Sequence, residues 1–528
     1  MALLCSCQWL KKEKAPTDFL SLAAGKALSN PNFAINKDEI YNQLNQWNKH
    51  SVDTTAQDSA ITAYYLAKDN PFLWINQASD STRIYLFLSY LHHSTIHGLN
   101  PDRFGTSKIE TNLKQLRKLE IQEGKNINMM LAELEHDLTK AYIDYVCGLS
   151  YGFISPHPIL NKLEDEELEP GLELTPEEAK KKIKKKKLYN IPLKVCNREI
   201  AEKILRSISD EEMPAFLSEV QPKGEFYCRL QREYIHIDSL RKVMSTQSSV
   251  VVDSLLKMSN CLRINMERLR WQTQREKTNR YIQVNVAAYM LQAIDVTADS
   301  MLEMRICCGS ARHKTPLLAS SIRYIEMNPY WNVPKTIIKK EIIPAYCRDT
   351  AYFTKNNMKV YDKAGMQVDP HAVSWNSYKG YPPFEVKQDN KEGNSLGRII
   401  FRFPNIHDVY LHDTPMKSSF LRERRGVSHG CVRLEQPLNF ASFLLKEKDE
   451  LTVDRIRTAM DLPALSERGK KITKREDYQE LKYYSLKEYI PVFLDYYTMY
   501  LSKDGKLKYC EDTYVFDPPL LEALDKLN

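Results

Sequence analysis

The sequence predicts an α+β protein: a helical N-terminal scaffold followed by a mainly β domain that carries an inserted capping segment. Three observations predict it. Apolar residues recur at helical spacing to about residue 270, alternate with a period of two from about residue 275, and give way to a turn-rich aromatic stretch from about 343 to 397. A chain of 528 residues, 43% of them hydrophobic, is long and apolar enough for more than one packed core. The resulting boundaries are an N-terminal segment over 1–36, a helical scaffold over 37–161, a charged linker or insertion over 162–190, continuing scaffold over 191–274, and the β domain over 275–528.

In the first helical region, Ile61-Tyr64-Tyr65, Ile84-Leu88-Leu91 and Met130-Leu131-Leu134-Leu138 set apolar side chains on one helix face. Asn70-Pro71 and Gly98-Leu99-Asn100-Pro101 break the helices between them. Residues 162–187 turn acidic and then lysine-rich around Pro170, Gly171 and Pro176, a composition that suits an exposed linker. The second helical region runs from about Arg198 to the patterned Leu262–Trp271. Tyr281–Val286, Met301–Ile306, Arg398–Phe403 and the short Val409-Tyr410-Leu411-His412 read as strands. The interrupting stretch holds Tyr346, Tyr352, Phe353, Tyr361, Trp375, Tyr378, Tyr381 and Phe384, and it reads as a long loop or a subdomain, either a mobile lid over a site or a rigid structural insertion.

Charge and cysteine content exclude several function classes. A net charge of +7, against 75 basic and 68 acidic residues, is too small an excess to imply nucleic-acid binding. The run Lys180–Lys187 reads first as a solvated linker and second as a weak contact with an anionic wall polymer or membrane surface. Eleven cysteines without a CxxC pair or regular framework imply buried apolar thiols rather than a disulfide scaffold or a zinc site. Cys307 and Cys308, adjacent on a strand, point to opposite faces and cannot share a metal. No stretch is long and apolar enough to span a bilayer. Leu4-Cys5-Ser6-Cys7 is similar to the end of a lipoprotein signal, with Cys7 as the lipidated residue, but the basic and apolar regions that should precede it are missing. A truncated signal that would give a membrane lipid anchor and a chance likeness both stay open.

The chemistry concentrates in His412-Asp413-Thr414-Pro415 and Ser428-His429-Gly430-Cys431-Val432-Arg433-Leu434. Cysteine catalysis runs through a thiolate, and a neighbouring imidazole or cation promotes it. His429 and Arg433 are near Cys431 in sequence, and His412, nineteen residues upstream, can reach the thiol from a separate strand. Gly430 permits the tight turn that brings amide N–H groups to a substrate oxygen. Acyl transfer by thiol, imidazole and backbone donors requires no metal and no organic cofactor.

Tyr-Leu-His-Asp-Thr-Pro followed by Ser-His-Gly-Cys-Val-Arg-Leu closely resembles the active-site signature of the L,D-transpeptidases with a YkuD-type catalytic domain. Arg280–Val286, Thr315-Pro316, Asn328–Pro334, Leu396-Gly397-Arg398 and Pro491–Thr498 resemble other landmarks of the large multidomain branch. Asn70-Pro71, His97–Pro101 and Leu138-Thr139 resemble its helical scaffold. The resemblance implies a peptidoglycan transpeptidase in the periplasm or cell envelope. Its substrates would be stem peptides, and carbapenem-type β-lactams would inhibit it. Cys431 would form a thioester with the third residue of a tetrapeptide stem, and an amine of a second stem would resolve it. His412 would be the base, oriented by the Asp413 carbonyl. Ser428, His429 and Gly430 would shape the loop, and Arg433 would hold it or, as the second choice, meet a substrate carboxylate. The Asp413 carboxylate would stabilise the following turn, and Tyr410 and Trp375 would contact substrate. The same acyl-enzyme could instead be resolved by water or by a protein amine, and a catalytically silent wall-binding scaffold is the alternative of another class. The branch's small peptidoglycan-binding module has no counterpart in the pattern between Arg198 and Trp271, and the lysine-rich run is foreign to the family.

Overall fold

A computed structural model of the chain describes residues 23, 26–27, 30–49, 55–67, 69–75, 81–166, 187–244, 249–271, 278–377, 382–390, 392–445 and 450–527. The Met1–Cys7 start, nearly all of the lysine run, Tyr378 and Tyr381 lie outside the described residues. The chain divides into two compact units, one of Met1–Ser155, Leu193–Thr273 and Asp517–Asn528, the other of Pro156–Pro192 and Gln274–Phe516.

The first unit is helical. Its central helix, Ile127–Tyr151, is capped by the Asn126 side chain, which accepts from Met129 N–H, and buries Met130, Leu131, Leu134 and Leu138 on successive turns. The same helix carries Glu135, fully buried, whose carboxylate accepts the backbone N–H groups of Leu73, Trp74 and Ile75 and the Tyr65 hydroxyl. The irregular segment after the Asn70-Pro71 breaker therefore finds its hydrogen bonds on one anion. Helices Glu225–Val243 and Ser249–Arg270 follow one another in this unit. The closing helix, Asp517–Asp525, docks here through Arg268–Asp517 and Arg263–Asp525 ion pairs of 2.6 and 2.7 Å.

The second unit is built on strands. In chain order these are β1 Tyr189–Asn190, β2 Arg280–Asn285, β3 Met290–Asp295, β4 Ser300–Gly309, β5 Leu317–Met327, β6 Trp331–Asn332, β7 Met358–Tyr361, β8 Gln367–Val368, β9 Glu385–Gln388, β10 Ile399–Arg402, β11 Leu411–His412, β12 Gly426–Ser428, β13 Val432–Leu434, β14 Tyr483–Asp495, and the separate pair β15 Met499–Leu501 and β16 Leu507–Tyr509. The main sheet runs β1-β5-β10-β11-β13-β4-β3-β2-β14, with β12 beside β4. β14 also pairs with β5, so the sheet closes on itself and those strands have no free edge between them. Cys307 and Cys308, neighbours in β4, are both buried.

Two segments fall on the other side of the expected boundaries. The end of the expected linker supplies β1, which adds in parallel to β5 through Tyr189↔Leu317. The last residues belong to the helical unit rather than to the β domain. Both assignments depend on partners far away in sequence, which local composition does not encode.

Of the two forms expected for the inserted segment, a long loop or a subdomain, the structure has the subdomain, and it starts at β6, before residue 343. Its sheet runs β6-β9-β7-β8. Strands of two to four residues give too short an alternation to stand out in sequence. A core of its own includes Ile338, Ile342, Tyr346, Phe353, Val360 and Val386. The helical stretch from Lys335 to Arg348, with a π-helical turn at Ile338–Ile342, faces the main sheet across a cleft.

Candidate active site

The cleft has a volume of about 590 Å³ and is lined from both sides. The subdomain contributes Trp331, Lys340, Glu341 and Tyr352, and the sheet contributes Tyr410, His412, Cys431 and Arg433. Register explains the second group. β11 and β13 are parallel, with Leu411 opposite Val432 and His412 opposite Arg433, and Val432 N–H bonds the Tyr410 carbonyl at 3.1 Å. Side chains alternate along a strand, so Leu411 and Val432 turn into the core, both fully buried. Tyr410, His412, Cys431 and Arg433 then share the cleft face. The strand pairing thus puts Cys431 and His412, nineteen residues apart in sequence, on one cleft.

The imidazole of His412 is buried and its Nδ1 is hydrogen-bonded to the Asp413 carbonyl. A carbonyl can only accept, so Nδ1 carries the proton and Nε2 keeps its lone pair. Burial first, and the Arg433 charge second, hold this imidazole down at about 4, so it is neutral at neutral pH. The thiol of Cys431 is half-buried, and burial pushes it above its ordinary value, against the opposing pull of hydrogen bonds from Tyr410 and the charges of Arg402 and Arg433. The nearby imidazoles and cation therefore do not produce a resting thiolate. The pair rests as thiol and neutral base.

The loop before Cys431 is fastened at several points. Ser428 Oγ donates to the Cys431 carbonyl at 2.5 Å and accepts from Gly430 N–H at 3.1 Å. That second bond occupies the Gly430 amide, so the glycine serves the turn, at φ +116°, rather than offering its own N–H to substrate. Buried Thr315 donates to the Gly430 carbonyl and accepts from Gly309 N–H, both at 2.8 Å. The Tyr514 hydroxyl adds a bond to the Gly309 carbonyl at 2.7 Å. Thr315 was legible only as a landmark, because its bond to the Gly430 carbonyl joins residues 115 positions apart.

The other expected site residues separate into cleft and support. His429 lines the cleft with Cys431, and its Nε2 pairs with Glu341 of the subdomain while its ring lies 4.7 Å from that of His313. The Asp413 carboxylate accepts Arg398 N–H at 3.0 Å and pairs with Lys417 at 2.6 Å, which pins the adjacent turns. Arg433 does not bridge loop carbonyls as expected. Its guanidinium contacts Met416 Sδ at 3.8 Å, its buried Nε has no hydrogen-bond partner among the described residues, and it faces the cleft. The reason is register: pairing with His412 directs it off the loop and into the open space. Trp375 is likewise not at the cleft. It is buried in the subdomain core, stacked on Phe353 at 5.6 Å, with its indole N–H on the Pro370 carbonyl at 2.9 Å. Trp331 and Tyr352 are the subdomain aromatics that line the cleft. Tyr410 is at the thiol, its ring 5.7 Å from that of His412 and 4.6 Å from the Arg402 guanidinium. Glu341 and Arg402 carried no sequence signal. No group of His, Cys, Asp and Glu among the described residues is arranged to hold a metal ion.

The family model described as the YkuD L,D-transpeptidase catalytic domain matches residues 279–454. Residues 279–454 are an L,D-transpeptidase catalytic domain. A Scaffold domain model matches residues 59–233, within the helical part of the chain. The L,D-transpeptidase domain thus sits in one chain with a scaffold, as the large branch would have it. A Haemophilus influenzae protein named "Putative L,D-transpeptidase" is 36% identical over 164 residues, which cover 31% of this chain and 33% of that protein. The match spans about a third of the relative's length.

Proposed function

We propose that the chain is a peptidoglycan L,D-transpeptidase that joins two stem peptides through a thioester on Cys431. The observation that carries this reading is the β11–β13 register, which sets Cys431, His412, Tyr410 and Arg433 on one face of the cleft. His412 Nε2 takes the thiol proton as sulfur attacks the carbonyl of the donor stem's third residue. A neutral thiol and a neutral imidazole make this a general-base step rather than attack by a preformed ion pair. The Cys431 N–H and the Tyr410 hydroxyl are the donors for the developing oxyanion, since Gly430 N–H is committed to Ser428. The imidazolium returns its proton to the departing D-alanine amine. His412 then deprotonates the acceptor amine that resolves the thioester. Arg433, a cation whose cleft-facing side chain has an N–H unpartnered among the described residues, receives the carboxylate of the terminal D-alanine. Capping by the subdomain excludes water and favours the amine over hydrolysis.

Peptidoglycan stems require the reaction to occur in the periplasm or at the outer face of the inner membrane. No helix among the described residues is long and apolar enough to cross a membrane. The test is incubation with purified tetrapeptide muropeptides, wild type beside Cys431→Ala, with products identified by mass. Cross-linked dimers from the wild type alone are the expected result. Tripeptides alone would make it a carboxypeptidase, and no product from either protein would point to a silent scaffold.

A further inference from the structure

Cys147 lies in the last turns of the helix Ile127–Tyr151, and Cys196 immediately precedes Asn197, the N-cap of the helix Arg198–Arg206. Both belong to the helical unit, and their Sγ atoms are 2.7 Å apart. Between them the chain leaves this unit after Ser155, supplies a helix and β1 to the strand-built unit, and re-enters at Leu193. The two thiols therefore face each other across the base of the excursion, one on its outgoing stem and one on its returning stem. The sequence gives no hint of this, since the two cysteines are 49 residues apart and belong to no spacing pattern.

We propose that Cys147 and Cys196 form a structural disulfide that staples the two stems of this excursion. The two thiols lose two protons and two electrons to form one S–S bond, and a small-molecule or protein disulfide takes the electrons and is reduced to two thiols. The order of events follows from the surroundings. Cys196 is half-buried and next to a helix N-terminus, and the hydrogen bond from Cys147 holds its thiol below the ordinary value. It attacks the oxidant first and forms the mixed disulfide. Cys147 is buried, and by donating that hydrogen bond it stays protonated longer. It then attacks the Cys196 sulfur, loses its proton, and releases the reduced oxidant. A link across so long a stretch restricts the unfolded chain and holds the excursion closed at its base. The proposal is independent of the transpeptidase reading, and Cys431 takes no part in it.

The full chain is equilibrated with oxidised glutathione, its remaining thiols are alkylated under denaturing conditions, and it is digested with trypsin without reduction. The expected product is a linked pair of the peptides 141–162 and 195–198, lighter by two hydrogens than their sum and separated by dithiothreitol. The wild type should also melt at a higher temperature oxidised than reduced, a difference that Cys147→Ser and Cys196→Ser each remove. Alkylated Cys147 and Cys196 with no linked pair would overturn the proposal. So would a linked pair joining either residue to a different cysteine. Because the peptide map uses the wild-type chain, it decides the matter even where a serine variant fails to fold.

Discussion

Replacing Arg433 with glutamine separates a substrate contact from a structural one. The guanidinium bonds no loop carbonyl, so the fold should lose little, and Tm should change by only a degree or two, since surface-like substitutions stay within about 0.5 kcal/mol. The substrate contact is larger. A hydrogen bond to a charged partner contributes about 1.5–3 kcal/mol, which is roughly a 10- to 150-fold loss in kcat/KM for a stem ending in a free carboxylate. A stem amidated at that carboxylate should lose a similar factor with the wild type and little more with Arg433→Gln. The pH profile gives a second readout. As the proposed base His412 must be neutral to act, so kcat/KM of the wild type should fall as pH drops through about 4. Arg433 is one of the causes that depress this value, so its removal raises the imidazole's affinity for protons and moves the acid limb to higher pH. Steady-state rates for both stems across pH, with Tm measured in parallel, check all three outcomes. If amidation and the mutation multiplied their losses independently, Arg433 would not touch the carboxylate. An unmoved acid limb would show that its charge does not reach His412.

His412→Ala should lower the acylation rate by about 10²–10⁴-fold, as for a lost general base, and His429→Ala by much less; equal losses in single-turnover acylation would contradict the assignment. Thr315→Val removes a hydroxyl that satisfies both Gly309 N–H and the Gly430 carbonyl, and should cost about 1–3 kcal/mol for each buried group left unpaired, read by denaturant unfolding, along with part of kcat. A stable variant with full activity would mean that the loop is held elsewhere. Trp375→Ala empties the centre of the subdomain core at a local cost of about 3–5 kcal/mol, so hydrogen exchange should rise across residues 335–388 and products should shift from cross-links toward hydrolysis. An unchanged product ratio with the subdomain loosened would remove its capping role.

The local signals in this chain were strong wherever function is carried by neighbouring residues. The residue order of Ser428–Leu434 and Tyr410–Pro415 carries the resemblance to the L,D-transpeptidases, and the family model over 279–454 agrees with it. The change from helical spacing to alternation marks the passage from one unit to the other, because a buried face imposes its period on the sequence. Helix Ile127–Tyr151 and strands β2 and β4 were legible for that reason.

Only the tertiary structure decided which distant segments meet. Pairing of β11 with β13 puts His412 and Cys431 on one face, and the same register turns Arg433 away from the loop it was expected to hold. Trp375 has the composition of a ligand contact, yet it lies in a core, because burial depends on what the short strands β6–β9 enclose. Thr315, Glu341 and the facing thiols of Cys147 and Cys196 act through partners between 49 and 115 residues away. A sequence constrains its near neighbours through backbone geometry, whereas these contacts arise only when hydrophobic burial has closed the sheet and packed the helices. What a side chain can do chemically was written in the sequence, and what it can reach was set by folding.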